Sequence, residues 1–341
     1  MRYFQILVGI SIIVLGTVAT LFFREAYIGK TGGEAVTFSI EDGDTAAAIA
    51  LHLTEAQVIS DGSQYLLYGN LDRSVFRAKA GTYQIAKGDS FRHLAKQFAI
   101  GPIRQEVSIR VIEGWTVDTI VDLLAKDYTI DTSSTIAIAG RSADGQGFSN
   151  ALREDYPFLA VLPKSRSLEG YLFPDTYHVW ADELPEGLIY KQLNEFNRRF
   201  GSELPSASVA PLKTLDDVII LASIVEKEVA RPEDRKIVAG IFLNRLKHGM
   251  RLQSDATLNY VTNSGRARST ATDLTIDSPY NTYQHDGLPP SPIGNPGADA
   301  IEAVLSPATT KYHYFLTTDK GETLYASTFE EHKKNRARAG F

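Results

Sequence analysis

The sequence predicts an α+β protein tethered to a membrane by one N-terminal helix. Three observations carry that expectation. From Tyr3 to Phe23 no residue is charged, and Ile6 to Phe23 is mostly Ile, Leu, Val, Ala, Gly and Phe. Beyond this run, short alternating segments read as strands, each leading into a glycine, a hydroxyl residue and apolar residues four apart. That is the pattern of a strand, a turn and a capped amphipathic helix. The second half carries longer helical patterns and one Pro-rich loop.

About 20 apolar residues span a bilayer core as a helix. A cleaved signal peptide has a shorter apolar region and a small-x-small site before its end. Here Gly16 to Thr20 offers small residues, but the run continues through Leu21, Phe22 and Phe23, which favours an uncleaved, single-pass anchor. Arg2 precedes the span and Arg24 is offset by Glu25, so positive-inside counting favours a short cytoplasmic N-terminus. The expected location is the plasma (inner) membrane, with the remainder outside the cytoplasm. The net charge of −6 over 341 residues argues against bulk capture of nucleic acid. With no Cys and seven scattered His, thiolate chemistry is excluded, no metal site is expected, and no cofactor is called for.

Four divisions are expected: stub and anchor at 1–24, a linker at 25–35, a small α/β module at 36–105 and a mixed α+β domain at 106–341. The strand-turn-helix pattern occurs as Gly43, Thr45, Ile49, Leu53, then Gly88, Ser90, Leu94, Phe98, then Gly114, Thr116, Ile120, Leu124. The preceding strands are Val36 to Ile40, Thr82 to Ala86 and Val107 to Ile112. Strand, two helices and strand from Val36 to Ala86, with a Gly-Asp-Thr turn, resemble a LysM-type module. The resemblance implies binding of N-acetylglucosamine polymers; the alternative is a spacer.

In the second domain, residues 167–180 are an aromatic, strand-like entry, followed by a helix from about Pro185 to Phe200. The next helix opens on a capping-box pair, Thr214 and Asp217. Another runs from Pro232 to Gly249, then come a loop from Arg251 to Thr257, the Pro-rich loop, and a short helix near Asp299 to Leu305. A hairpin turning at Asp319 to Gly321 and a charged helix follow, whose Lys333 to Arg338 run reads as a solvated end.

The helix after Thr214 carries Glu226 in an apolar stripe of Leu215, Ile219, Ala222, Val229 and Ala230, at about 100° per residue. A buried carboxylate pairs, or raises its pKa and stays protonated. The protonated form is the general acid that glycosidic cleavage needs. The plainer alternative is an ion pair with Lys227, Arg231 or Arg235. Small residues Ala222, Ser223 and Ala230 would leave room for a substrate. Glu228, on the nearly opposite face, reads as a structural salt bridge. Two segments rich in amides, hydroxyls and Tyr follow, Arg251 to Thr257 and Ser278 to Pro296, the second holding five prolines. Such a preformed polar surface suits sugar recognition; a structural crossover with Tyr packed on the core is the alternative.

Taken together, Leu168-Glu169-Gly170-Tyr171-Leu172-Phe173-Pro174-Asp175-Thr176-Tyr177, Ala222 to Glu228, Asn244-Arg245-Leu246 with Met250 to Asp255, and Ser278 to Pro296 resemble the endolytic murein transglycosylases, the YceG-like family. One departure is Ala256, where the family commonly has Pro. The resemblance implies that the substrate is the peptidoglycan glycan strand, cut at the β-1,4 bond between N-acetylmuramic acid and N-acetylglucosamine to leave a 1,6-anhydro end. It implies Glu226 as the catalytic acid and partners in the cell-wall synthesis machinery. Substrate contacts are expected from Glu169, Tyr171, Gln253, Asp255, Tyr280, Asn281, Thr282, Tyr283 and Asn295. A hydrolytic muramidase, with Asp255 or Glu169 as second carboxylate, and a non-catalytic peptidoglycan-binding scaffold are the alternatives.

Overall fold

The structure is a computed structural model that describes residues 2–30, 33–201, 209–263, 269–318 and 321–340. The chain divides into two compact units, Met1–Gln105 and Glu106–Phe341. Secondary structure is mixed α and β throughout.

The first unit opens with α1 (Arg2–Tyr27), the one helix among the described residues long and apolar enough to cross a membrane. It extends past the expected end of the span, because Phe22 and Ala26 join the core of the unit. Next come β1 (Ala35–Ile40), α2 (Ala46–Glu55), α3 (Gly62–Tyr68), a 3₁₀ turn at Arg73–Arg77, β2 (Gly81–Ala86) and α4 (Phe91–Ile100). Strands β1 and β2 pair antiparallel, from Ala35↔Ala86 to Ile40↔Gly81. Thr45 and Ser90 cap α2 and α4 through their hydroxyls, which fixes where each helix starts. One core, including Phe38, Leu53, Tyr65, Phe91, Leu94 and Phe98, joins all these elements.

The second unit begins with β3 (Glu106–Arg110), α5 (Val117–Tyr128), α6 (Thr132–Ala139), α7 (Asn150–Asp155) and α8 (Pro157–Ala160). Strand β4 (Thr176–Trp180) pairs antiparallel with β3. Residues 167–173 of the expected aromatic strand are instead buried turns, because Tyr171 packs into the helical core between Phe158 and Phe196.

Helices α9 (Glu186–Phe200), α10 (Leu215–Glu228) and α11 (Pro232–Lys247) follow, with the capping box of Thr214 and Asp217 formed in both directions. Helix α10 is buried on every side from Val218 to Val225 rather than along one stripe. Helix α12 (Asp255–Thr262) replaces part of an expected loop; α13 (Ala298–Leu305), hairpin β5 (Tyr314–Thr317) with β6 (Thr323–Ala326), and α14 (Phe329–Arg338) complete the unit. The hairpin pairs as expected, and its turn at Asp319 and Lys320 lies outside the described residues. Helix α10 packs against α11, α12 and α13, so the residues at its C-terminal end are held from three sides.

Candidate active site

Two carboxylates end α10, and their environments differ. Glu226 accepts Arg235 Nη2 at 2.6 Å on Oε1 and the Gly297 N–H at 3.0 Å on Oε2. Its side chain is 6% exposed and that of Arg235 7%, so this is a buried, fully engaged ion pair. Arg235 also lies 3.8 Å from Glu113 and from Asp299. Of the three cations offered by the sequence, Arg235 is the partner, one turn into α11.

Glu228 accepts the hydroxyl of Ser254 and the backbone N–H of Ala256. No salt bridge to Glu228 is formed among the described residues, which corrects the structural ion pair expected for it; the cation nearby, Arg245, is held by carbonyls instead. Arg245 Nε donates to His313 O and Nη1 to Leu252 O, each at 2.6 Å. Burial raises the pKa of Glu228; Ser254, Ala256 and Arg245 oppose the rise, and the charge of Asp255 adds to it. Burial raises Glu226 as well, opposed by Gly297 and Arg235. Titration does not separate the two carboxyls. Geometry does.

A cleft of about 920 Å³ opens beside Glu228, not Glu226. Its wall includes Lys227, Glu228, Gln253, Asp255, Tyr283 and Tyr314. Gln253 is exposed at a left-handed φ of 49°, which turns the chain sharply into α12. Asp255 accepts Tyr283 Oη at 3.0 Å and the Ser269 N–H at 3.3 Å, which orients both cleft groups. Three of the expected substrate contacts, Gln253, Asp255 and Tyr283, therefore meet at one surface. Sequence reasoning missed Arg245, Tyr314 and His332, which come to the same cleft from α11, β5 and α14. Arg336 also lines it, and the basic run of α14 is exposed as expected.

The other expected contacts hold hydrogen bonds within the protein and do not line this cleft. Glu169 is 3% exposed and accepts the Val117 N–H at 3.1 Å and Tyr260 Oη at 3.1 Å. Burial pushes its pKa up to about 8. Asn295, fully buried, accepts the N–H groups of Gly170 and Leu172 and donates to Trp115 O. Tyr171 donates to Asp216 at 2.9 Å, and Tyr280 shares a hydrogen bond with Ser291. Asn281 donates to Leu274 O and Ile276 O, while Thr282 accepts the Ser254 N–H. Asn281 and Thr282 hold the loops that carry Gln253, Ser254 and Tyr283, through the N–H groups of Tyr283 and Ser254. Ala222 and Ser223 leave room for the Pro-rich loop, not for substrate: Ser223 Oγ accepts the Ile293 N–H at 3.0 Å. Among the described residues no group of His, Asp and Glu is arranged to hold a metal ion.

The family model described as "YceG-like family" matches residues 38–338. The chain belongs to the YceG-like family. The protein named endolytic murein transglycosylase of Bacillus subtilis (strain 168) is 32% identical over 317 residues, covering 90% of this chain and 85% of that protein. That of Streptococcus pneumoniae serotype 2 is 31% identical over 321 residues, 89% of this chain but 58% of the longer relative. A yceG-like protein of Listeria monocytogenes, known from a 2.6 Å crystal structure, superposes with a TM-score of 0.56 at 30% identity, covering 89% of this chain and all of that one.

Proposed function

We propose that the protein is a membrane-anchored endolytic murein transglycosylase that cuts peptidoglycan glycan strands, with Glu228 as its general acid. One observation carries the assignment: a half-buried carboxyl with a raised pKa on the wall of the large cleft, in a chain whose relatives bear that activity's name. A carboxyl held protonated toward neutral pH donates to a glycosidic oxygen most effectively. Glu226, the acid expected from the sequence, would first have to lose Arg235 and the Gly297 N–H.

In this reading Glu228 protonates the leaving oxygen as the C1–O bond of the muramic sugar breaks. The C6 hydroxyl of the same sugar attacks C1 and gives its proton to the Glu228 carboxylate. The acid is regenerated and the product ends in a 1,6-anhydro ring. An intramolecular nucleophile removes the need for a positioned water. Gln253, Tyr283 and Asp255 would orient the sugar hydroxyls. Asp255 supports one second reading, a hydrolytic muramidase, because it lines the same cleft as Glu228 and two-carboxylate hydrolysis uses pairs roughly 5 to 9 Å apart.

Helix α1 would serve as an uncleaved anchor in the plasma membrane with the second unit outside the cytoplasm, and strand cleavage there would end elongation of nascent glycan. The LysM-like unit would hold glycan or set the distance from the bilayer. Partners in wall synthesis follow from such a location. Mass spectrometry of products released from purified peptidoglycan tests the proposal. Anhydro ends support it, reducing ends one water heavier mean a muramidase, and intact glycan means a non-catalytic scaffold.

A further inference from the structure

The first unit grips the end of α1 at a defined level. The ring of Phe22 lies edge-on to Phe91 at 6.5 Å, and that of Tyr27 edge-on to Tyr68 at 5.8 Å. Ala26 is fully buried, and Glu25 accepts the Ser60 hydroxyl at 2.6 Å. Phe22 belongs to the uncharged run itself. If that run lies in hydrocarbon, Phe91 sits at the level of its last turn, and Tyr68, beside Tyr27 about 7.5 Å further along the axis, sits in the headgroup zone.

The surface around Tyr68 is apolar where a water-facing surface need not be. Leu67 is 55% exposed, Leu71 65% and Phe76 50%. Phe76 lies over Gly69, where an added Cβ would stand 2.8 Å from its ring, so the three side chains flank one turn after α3. Single exposed apolar residues are ordinary on soluble proteins. Three around a turn that touches the foot of a membrane helix are a continuation of its lipid-facing surface. Arg24, Arg73, Arg77 and Arg92 are exposed around the same region, with Arg92 close enough to act on Tyr68 and Asp72. Apolar side chains with a basic rim suit the headgroup zone of an anionic bilayer.

We infer that the turn carrying Leu67, Leu71 and Phe76 dips into the outer leaflet of the bilayer that holds α1, seating the first unit on the membrane instead of leaving it on a free tether. The inference rests on reading α1 as an uncleaved anchor. It also orients the unit. Ile100, 78% exposed, ends α4 at about 13 Å from Phe91 at 1.5 Å per residue, on the far side from α1. The Ile40↔Gly81 end of the β1–β2 pair likewise lies away from the Gly88 that accepts the Lys30 N–H.

The chain has no Cys, so single-cysteine labelling needs no background removal. Full-length protein bearing Val14→Cys, Leu67→Cys, Leu71→Cys or Ile100→Cys, each with an environment-sensitive fluorophore, would be placed in nanodiscs of phosphatidylethanolamine and phosphatidylglycerol containing lipids doxyl-labelled at shallow and deep acyl positions. The probes at 14, 67 and 71 should lose most of their emission and that at 100 should keep it. Adding Leu71→Glu and Phe76→Glu should restore emission at position 67 without changing position 14. Quenching at 14 with emission at 71 equal to that at 100 overturns the inference while the anchor stands. No quenching at 14 removes the anchor reading and the inference together. Shielding at 71 that depends on two proteins per disc and not on doxyl lipid would mean a second copy covers the patch, and also overturns it.

Discussion

Arg235 and Glu226 form an ion pair buried on both sides, 2.6 Å from Nη2 to Oε1, while Glu228 two residues on lines the cleft and accepts the hydroxyl of the buried Ser254. Two positions on a helix are about 200° apart, so one turn of α10 supplies both a structural and a cleft carboxylate.

The first expectation concerns that pair. Arg235→Ala leaves Glu226 with only the Gly297 N–H, and removing one member of a buried pair costs about 3–5 kcal/mol. Urea unfolding should show a midpoint loss of that size. A loss typical of an exposed pair, about 1 kcal/mol or less, would contradict the buried geometry.

Ala256 gives Glu228 a backbone N–H from the first turn of α12, a position where proline can sit without breaking a helix. Ala256→Pro removes a donor that favours the carboxylate, so the Glu228 pKa should rise further. The acid then stays protonated to higher pH, and the alkaline limb of the kcat/KM profile should move upward. Movement to lower pH would exclude this hydrogen bond as a tuning contact.

Glu169 should leave its mark on stability. Its folded pKa, about 8, lies above the ordinary 4.5, so between these values the unfolded chain binds fewer protons than the native one. Stability from this group is complete below about pH 4.5 and falls as pH rises to about 8. Glu169→Gln should flatten that slope in urea titrations at several pH values. An unchanged slope would mean the carboxyl is ionised in its buried site.

Gln253 and Asn281 should separate binding from folding. Gln253 is exposed at the cleft, so Gln253→Ala should raise KM with little change in Tm. Asn281→Ala empties a fully buried polar position and takes the side-chain donor from Ile276 O, while Leu274 O keeps Gln284 Nε2, and should cost about 1–3 kcal/mol of stability. Thermal melts beside steady-state kinetics distinguish the two patterns.

Local rules made the elements legible. Thr45, Ser90, Thr116 and Thr214 each cap the helix they announced, and Gly249 ends α11 at a positive φ of 67°. Helix α12 was missed because its N-terminal residues read as loop chemistry, and its fit depends on Thr282, which accepts the Ser254 N–H from 28 residues away. The two carboxylates were assigned by helix face, and their faces do differ. What each face meets was not local: Gly297 reaches Glu226 across 71 residues and Ser254 reaches Glu228 across 26. The amide- and Tyr-rich loops named the right region, but one dimension cannot show which polar groups the folded loops consume internally. Asn281 and Asn295 went inward; Gln253 did not.

The most direct test compares Glu228→Gln with Glu226→Gln on peptidoglycan, scoring anhydro ends by mass spectrometry and folding by thermal melts. Glu228→Gln should fold normally and lose about 10²- to 10⁴-fold in rate, the contribution of a general acid. Glu226→Gln should lose stability through Arg235 and keep cleavage in whatever fraction stays folded. A folded Glu226→Gln that is inert beside an active Glu228→Gln would contradict the account.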